Sequence, residues 1–235
     1  MQLYPQSGQL DMTDLKLQDG QTVLFIGDSI TDCGRARPVG RIGGEGPGYF
    51  GGLGEGYVSL VDSMLAATCP GRTIQVLNAG ISGNRVTDLE SRWQSDMLDL
   101  KPDWLSIMIG INDVWRQFDN ALDPSQVSPE HFESVLRKLV DRVQGELSGL
   151  VLMTPFFLES NRADPMRVMM DGYGALVRKV AIDVGAHFVD TQAVFDDYLV
   201  HRPSRSLCED RVHLCQTGHM VLARAFLDSV GFRWS

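Results

Sequence analysis

The chain has 235 residues, 43% of them hydrophobic and 22% charged, with a formal net charge of −9. Those proportions suit a soluble globular protein that buries its own core. The acidic balance, without a dense basic patch, speaks against nucleic acid as a partner, and no run of about 18 apolar residues suggests a membrane span.

Residues 1–20 are polar and carry no basic-then-apolar signal pattern, so they are expected to form an arm leading into one domain over 21–235, and the protein is expected to be cytoplasmic. Gln21 to Ile26 reads as a buried strand, a short apolar run with β-branched Val23 and Ile26. It stops at Gly27-Asp28-Ser29. Residues 34–56 are so glycine-rich that a long loop is expected. Val58, Val61 and Leu65 recur at helical spacing, which predicts a helix over 57–67 that ends near Cys69-Pro70-Gly71. Strands are expected at 73–77, 104–109, 150–154 and 187–190. Helices are expected at 86–100, 131–147, 164–184, 191–199 and 217–230, with Pro165 in the first turn of the third.

Strands alternate with helices throughout, and each gap is long enough for a crossover. That predicts a three-layer α/β/α sandwich around a central parallel sheet, of flavodoxin-like type. In such folds ligands sit beyond the carboxyl ends of the strands. Three chemically promising stretches fall there: Gly27-Asp28-Ser29, the NAGISGN segment holding Gly83, and GIND holding Asn112.

Taken alone, Ser29 reads as a helix cap in preference to a nucleophile. A serine hydroxyl attacks only when a base takes its proton. Of the five histidines, His213 follows Asp210 by three residues, a spacing at which a carboxylate can hold Nδ1–H and leave Nε2 free. Acyl transfer also needs oxyanion donors, for which the Ser29 backbone N–H, Gly83 and Asn112 are candidates. Asp28, Arg85, Trp115 and Tyr49 are candidate substrate contacts. Trp115 is suited to stacking on a sugar face or to lining a rim, and Arg85 to a polar substrate group or to an acid such as Asp88. Trp93 and Trp104 read as core.

Gly27-Asp28-Ser29, Gly83 within ISGN, Gly110-x-Asn112-Asp113 and Asp210-x-x-His213 together resemble, in order and spacing, the four blocks of the SGNH, or GDSL, hydrolase superfamily. LFIGDSITDCGRARP, KPDWLSIMIGINDVWRQ, LMTPFFLESNRADPMR and GHMVLARAFL resemble its acetylxylan esterase branch, and the likeness spans residues 21–235. It implies a serine carbohydrate esterase that removes acetyl groups from xylo-oligosaccharides or related sugars. Ser29 would be the nucleophile, His213 the base and Asp210 its orienting partner. It implies no cofactor and no metal, and allows a homo-oligomer. Ile30 stands where the GDSL name has leucine. Leu214 stands where many relatives have proline, which predicts a less stiff loop.

Three other readings remain in view. Cys208, His213, Cys215 and His219 are zinc-ligand types, although the spacing is not a common zinc pattern. A carbohydrate-binding protein could use the same scaffold without turnover, and a lipase or thioesterase could use it on longer acyl groups. The four cysteines, Cys33, Cys69, Cys208 and Cys215, are read as free thiols.

Overall fold

Val23 to Ile26 are each at most 1% exposed. This doubly covered run is what a strand between two helical layers requires. It is the centre of β1 (Thr22–Gly27) in the computed structural model, which describes residues 14–42, 52–119, 122 and 124–234. The elements that follow are α1 (Ser29–Asp32), β2 (Gly40–Arg41), α2 (Tyr57–Thr68), β3 (Gln75–Asn78), α3 (Val86–Trp93) and β4 (Trp104–Met108). After them come α4 (Ile111–Asp119), α5 (Pro129–Asp141), β5 (Gly149–Met153), α6 (Pro165–Val184), β6 (His187–Val189), α7 (Thr191–Leu199) and α8 (Gln216–Ser229).

The sheet order is β2-β3-β1-β4-β5-β6. All pairs are parallel except β2 with β3. Taken alone, the five parallel strands run second, first, third, fourth, fifth, which is the flavodoxin-like order. The order reverses between β1 and β4, so the loops after these two strands diverge and leave a crevice. At this point the strands themselves press close: a Cβ on Gly27 would lie 2.4 Å from the Met108 carbonyl oxygen, so only glycine fits.

Helices cover both faces. Tyr57 of α2 and Phe226 of α8 close over Phe25 of β1, with ring centroids 5.7 and 4.7 Å away. On the opposite face α3, α5 and α6 pack in sequence, and α4 lies on α6. Trp93 and Trp104 are buried, as expected of core residues. Among the described residues, no helix is long and apolar enough to cross a membrane.

Residues 14–20, the inner part of the expected arm, lie along the domain. Leu15 and Leu17 are buried. The Lys16 N–H donates to the Val230 carbonyl at 2.9 Å and Asp14 pairs with Arg233.

Several element boundaries depart from the expected ones. The helix expected at 86–100 is α-helical only to Trp93 and continues as a π-helical turn, Gln94–Leu98. The helix expected at 131–147 starts two residues earlier, because Ser128 caps it by accepting the His131 N–H and Pro129 opens its first turn; it ends at Asp141. Three short elements, α1, β2 and α4, were not expected. The sheet is therefore parallel with a two-residue antiparallel edge.

Candidate active site

Asp28, not Ser29, caps α1: its Oδ1 accepts the Ile30 N–H at 3.0 Å. Ser29 is thereby the first helical residue, and its hydroxyl is released from capping. Its Oγ lies 3.0 Å from Nε2 of His213. Nδ1 of the same ring is 2.5 Å from Oδ2 of Asp210. A hydroxyl, an imidazole and a carboxylate thus lie in one hydrogen-bonded line, in which the ring can accept the hydroxyl proton while the carboxylate fixes the tautomer.

The last loop holds its two members by local bonds. Oδ1 of Asp210 accepts the N–H groups of Val212 and His213, at 3.0 and 2.8 Å. Arg211, between them, takes a positive φ of 67°. Its carbonyl accepts the Leu158 N–H, and its guanidinium pairs with Glu159 at 2.6 Å. Leu214 packs against Gly218, where an added Cβ would come within 2.8 Å of it. The slackness expected from leucine in place of proline is therefore offset by a polar turn and an ion pair. Burial opposes the charge of Asp210, but the bonds from the His213 ring and from the two N–H groups outweigh it and lower its pKa.

The candidate donors for a developing negative charge are the N–H groups of Ser29 and Gly83 and the side-chain amide of Asn112. Gly83 is exposed with φ +83° and open space beside it, a conformation that favours glycine. Among the described residues, neither the Ser29 N–H nor the Gly83 N–H has an acceptor. Asn112, 5% exposed, sits in the first turn of α4. Its Nδ2 donates one hydrogen to the Asn84 carbonyl at 3.1 Å. A carbonyl can only accept, so this bond fixes which end of the amide carries hydrogen and leaves the second hydrogen free.

Residues 25–221 match the GDSL-like lipase/acylhydrolase family. The chain belongs to that family. An acetylxylan esterase from Geobacillus stearothermophilus is 50% identical over 221 residues, covering 94% of this chain and 98% of that one. The crystal structure of that enzyme, Axe2, superposes with a TM-score of 0.88 over 93% of this chain. Catalytic mutants of Axe2 have been crystallised with alanine at a serine, an aspartate and a histidine, the last two separated by three positions. LAE5, an alpha/beta hydrolase from the metagenome of Lake Arreo, Spain, is 46% identical and also superposes at 0.88, covering 94% of this chain. This member of the GDSL-like family is a carboxylic ester hydrolase.

The other candidate contacts divide. Trp115 is half-buried, its ring centroid 6.0 Å from that of His213, so it walls the GDSL-like site. Arg85 is committed elsewhere: its Nη1 donates to the carbonyl and hydroxyl of Ser125, at 2.7 and 2.9 Å, and its Nε lies 3.6 Å from Asp88. Asp28 is 1% exposed, so it acts from inside the fold and not at the surface that meets a substrate. Burial pushes its carboxyl up to about 7, against the Ile30 bond, and nearby Asp113 adds to the rise. Tyr49 lies outside the described residues.

The four zinc-type residues do not converge. Nδ1 of His213 faces Asp210, Cys208 and Cys215 approach the Ser204 and Ser206 carbonyls, and Nε2 of His219 lies 3.4 Å from Sγ of Cys33. The Cys33–His219 contact has no sequence signal, since 186 positions separate its partners. Burial, with the negative charges of Asp32, Asp28 and Glu55, pushes the Cys33 thiol up to about 12. It is therefore a neutral thiol, within donating distance of the Ser29 and Ile30 carbonyls, and no nucleophile.

Burial also pushes His219 down to about 4, with a further contribution from His213. The unfolded chain takes up this proton near the ordinary histidine value of about 6.5, so folding favours the neutral ring. The contribution of this ring to stability is full above that value and is lost as pH drops toward 4, opposite in sign to that of Asp28, whose raised carboxyl favours the fold at low pH. The expected loss from this group is about 3 kcal/mol. Urea unfolding at pH 7 and pH 4.5 measures it: the stability of wild type relative to His219→Gln should fall by about that amount between the two pH values. An unchanged difference would show that this ring does not set it.

Proposed function

We propose that this protein is a serine carbohydrate esterase that removes acetyl groups from xylo-oligosaccharides or related acetylated sugars through an acyl-enzyme. The observation that carries the reading is the line from Ser29 Oγ through the His213 ring to Asp210, at 3.0 and 2.5 Å. The 50% identity to an acetylxylan esterase over nearly the whole chain supports the substrate class.

In the first step Ser29 Oγ bonds to the acetyl carbon while His213 Nε2 takes its proton. The carbonyl π pair moves onto oxygen, where the Ser29 and Gly83 N–H groups and the Asn112 amide receive it. The oxyanion collapses, the bond to the sugar oxygen breaks, and His213 returns the proton to that oxygen. Water then repeats the sequence on the acetyl-serine, giving acetate and free enzyme. Asp210 holds the ring and stays ionised throughout.

Trp115 beside His213 offers an aromatic face to the sugar ring. All four cysteines are free, which favours a cytoplasmic setting and, with it, short imported oligosaccharides as substrate. The net charge of −9 fits a neutral sugar better than a polyanion. A homo-oligomer belongs to the same reading, and solution mass measures it.

Acetate release from acetylated xylo-oligosaccharides, run beside acetyl and octanoyl esters of one phenol, tests the substrate class. We expect turnover of the oligosaccharides and a preference for acetyl over octanoyl. Faster octanoyl cleavage with inert oligosaccharides would make this a long-acyl esterase instead.

A further inference from the structure

Arg92 in α3 bonds to the backbone that leads to Ser29 and to the side chain of Asn84, the residue after Gly83. Its side chain is only 12% exposed. Nη2 donates to the Gly27 carbonyl at 3.1 Å, two residues before Ser29. Nη1 donates to the Ala79 carbonyl at the end of β3 and to Asp96, both at 2.7 Å. Nε donates to Oδ1 of Asn84 at 2.7 Å. Four of the five guanidinium hydrogens are thus committed, and their directions are fixed by the planar fork.

Asn84 is the joint. Its N–H donates to the Ile81 carbonyl, which closes the turn containing Gly83. Its side chain is held by Arg92, and its own carbonyl holds the Asn112 amide. From the rigid ends of β1 and β3, one cation therefore sets the turn that presents Gly83 and the acceptor that orients Asn112.

We infer that Arg92 is a positioning residue for the oxyanion hole, acting through Asn84 on Gly83 and Asn112. The inference rests on reading those two as oxyanion donors. A donor bound in advance at the right place contributes to the transition state without reorganising, whereas a displaced donor contributes less.

Hydrolysis of p-nitrophenyl acetate by Arg92→Lys tests this. Lysine keeps the charge and most of the volume, but one ammonium cannot meet acceptors spread over a fork. With a cooperative melt retained, kcat should fall about 10- to 100-fold and KM stay within about threefold. In an Asn112→Ala background, which itself costs about 10²- to 10³-fold, the same change should cost clearly less than it does in the wild type, because one of the two donors it positions is gone and only Gly83 remains to be displaced. Asn84→Ala, which deletes only the side-chain acceptor, should lower kcat in the same direction and lose part of its effect in the same background.

Unchanged kcat in Arg92→Lys, a loss confined to KM, or fully multiplicative losses with Asn112→Ala would overturn the inference. If Arg92→Lys does not fold, full activity of Asn84→Ala overturns it. An inactive Ser29→Ala beside a fully active Arg92→Lys would leave the esterase standing and remove Arg92 from it. An active Ser29→Ala would remove both.

Discussion

Ser29→Ala is expected to lower acetyl-ester hydrolysis by about 10⁴-fold or more, with the fold intact. The size follows from what the change deletes. Without Oγ no acyl-enzyme forms, and the ring and oxyanion donors can at best assist water. The fold should be untouched because the α1 cap belongs to Asp28, whose Oδ1 still accepts the Ile30 N–H. Steady-state rates with an activated acetyl ester, and mass spectrometry for an acetylated serine in rapidly quenched wild type, check it. Retention of more than a few per cent of the activity would assign the nucleophile to another group.

Asp210→Asn should be the next most damaging conservative change, lowering kcat by about 10³- to 10⁴-fold with little change in KM. Asparagine can still use Oδ1 to accept from the Val212 and His213 N–H groups, so the turn survives. It offers an NH₂ where Nδ1–H needs an acceptor. The ring must then reverse its tautomer, which leaves Nε2 protonated and unable to take the Ser29 proton. The Asp210 side chain is 41% exposed, so water can partly restore an acceptor and the lower end of the range is the more reasonable figure. Asp210→Ala should cost stability as well, since it removes the turn. Equal rates in Asp210→Asn and wild type would mean that the ring needs no carboxylate.

Most of the line was readable because each member announces itself by type and local spacing. Gly27-Asp28-Ser29 ends an apolar run, and Asp210 precedes His213 by one turn. Geometry removed the cap reading at Ser29, and it did so through a neighbour: an Asp immediately upstream that takes the capping bond. Residue type is silent at α4, where no helix was expected. Gly110 at φ 130° makes a turn, and Asn112 and Asp113 open a helix whose first four positions are buried. Strand β2 escaped because two residues carry no period, and its partner β3 is distant in sequence.

Arg85 and Arg92 show where residue type runs out. Both are arginines beside the Gly83 turn, and sequence offers no ground for separating them. Coordinates send the first to Ser125 and the second into the heart of the site. Likewise Cys33, at the end of α1, and His219 of α8 lie 3.4 Å apart, which no pattern within either segment encodes.

Residues 14–16 and 230–233, near the two ends of the described chain, lie side by side: Asp14 pairs with Arg233, and Lys16 bonds to Val230. Ser29 and His213, 184 positions apart along the polymer, therefore belong to neighbouring segments across that seam. A short linker sewing the seam shut, with a fresh opening at the exposed turn around 142–146, would yield a circular permutant whose reactive groups all derive from one contiguous stretch and its two flanks. The order of the blocks along the gene is thus one cut of a ring, and the catalytic geometry is indifferent to where the ring is cut.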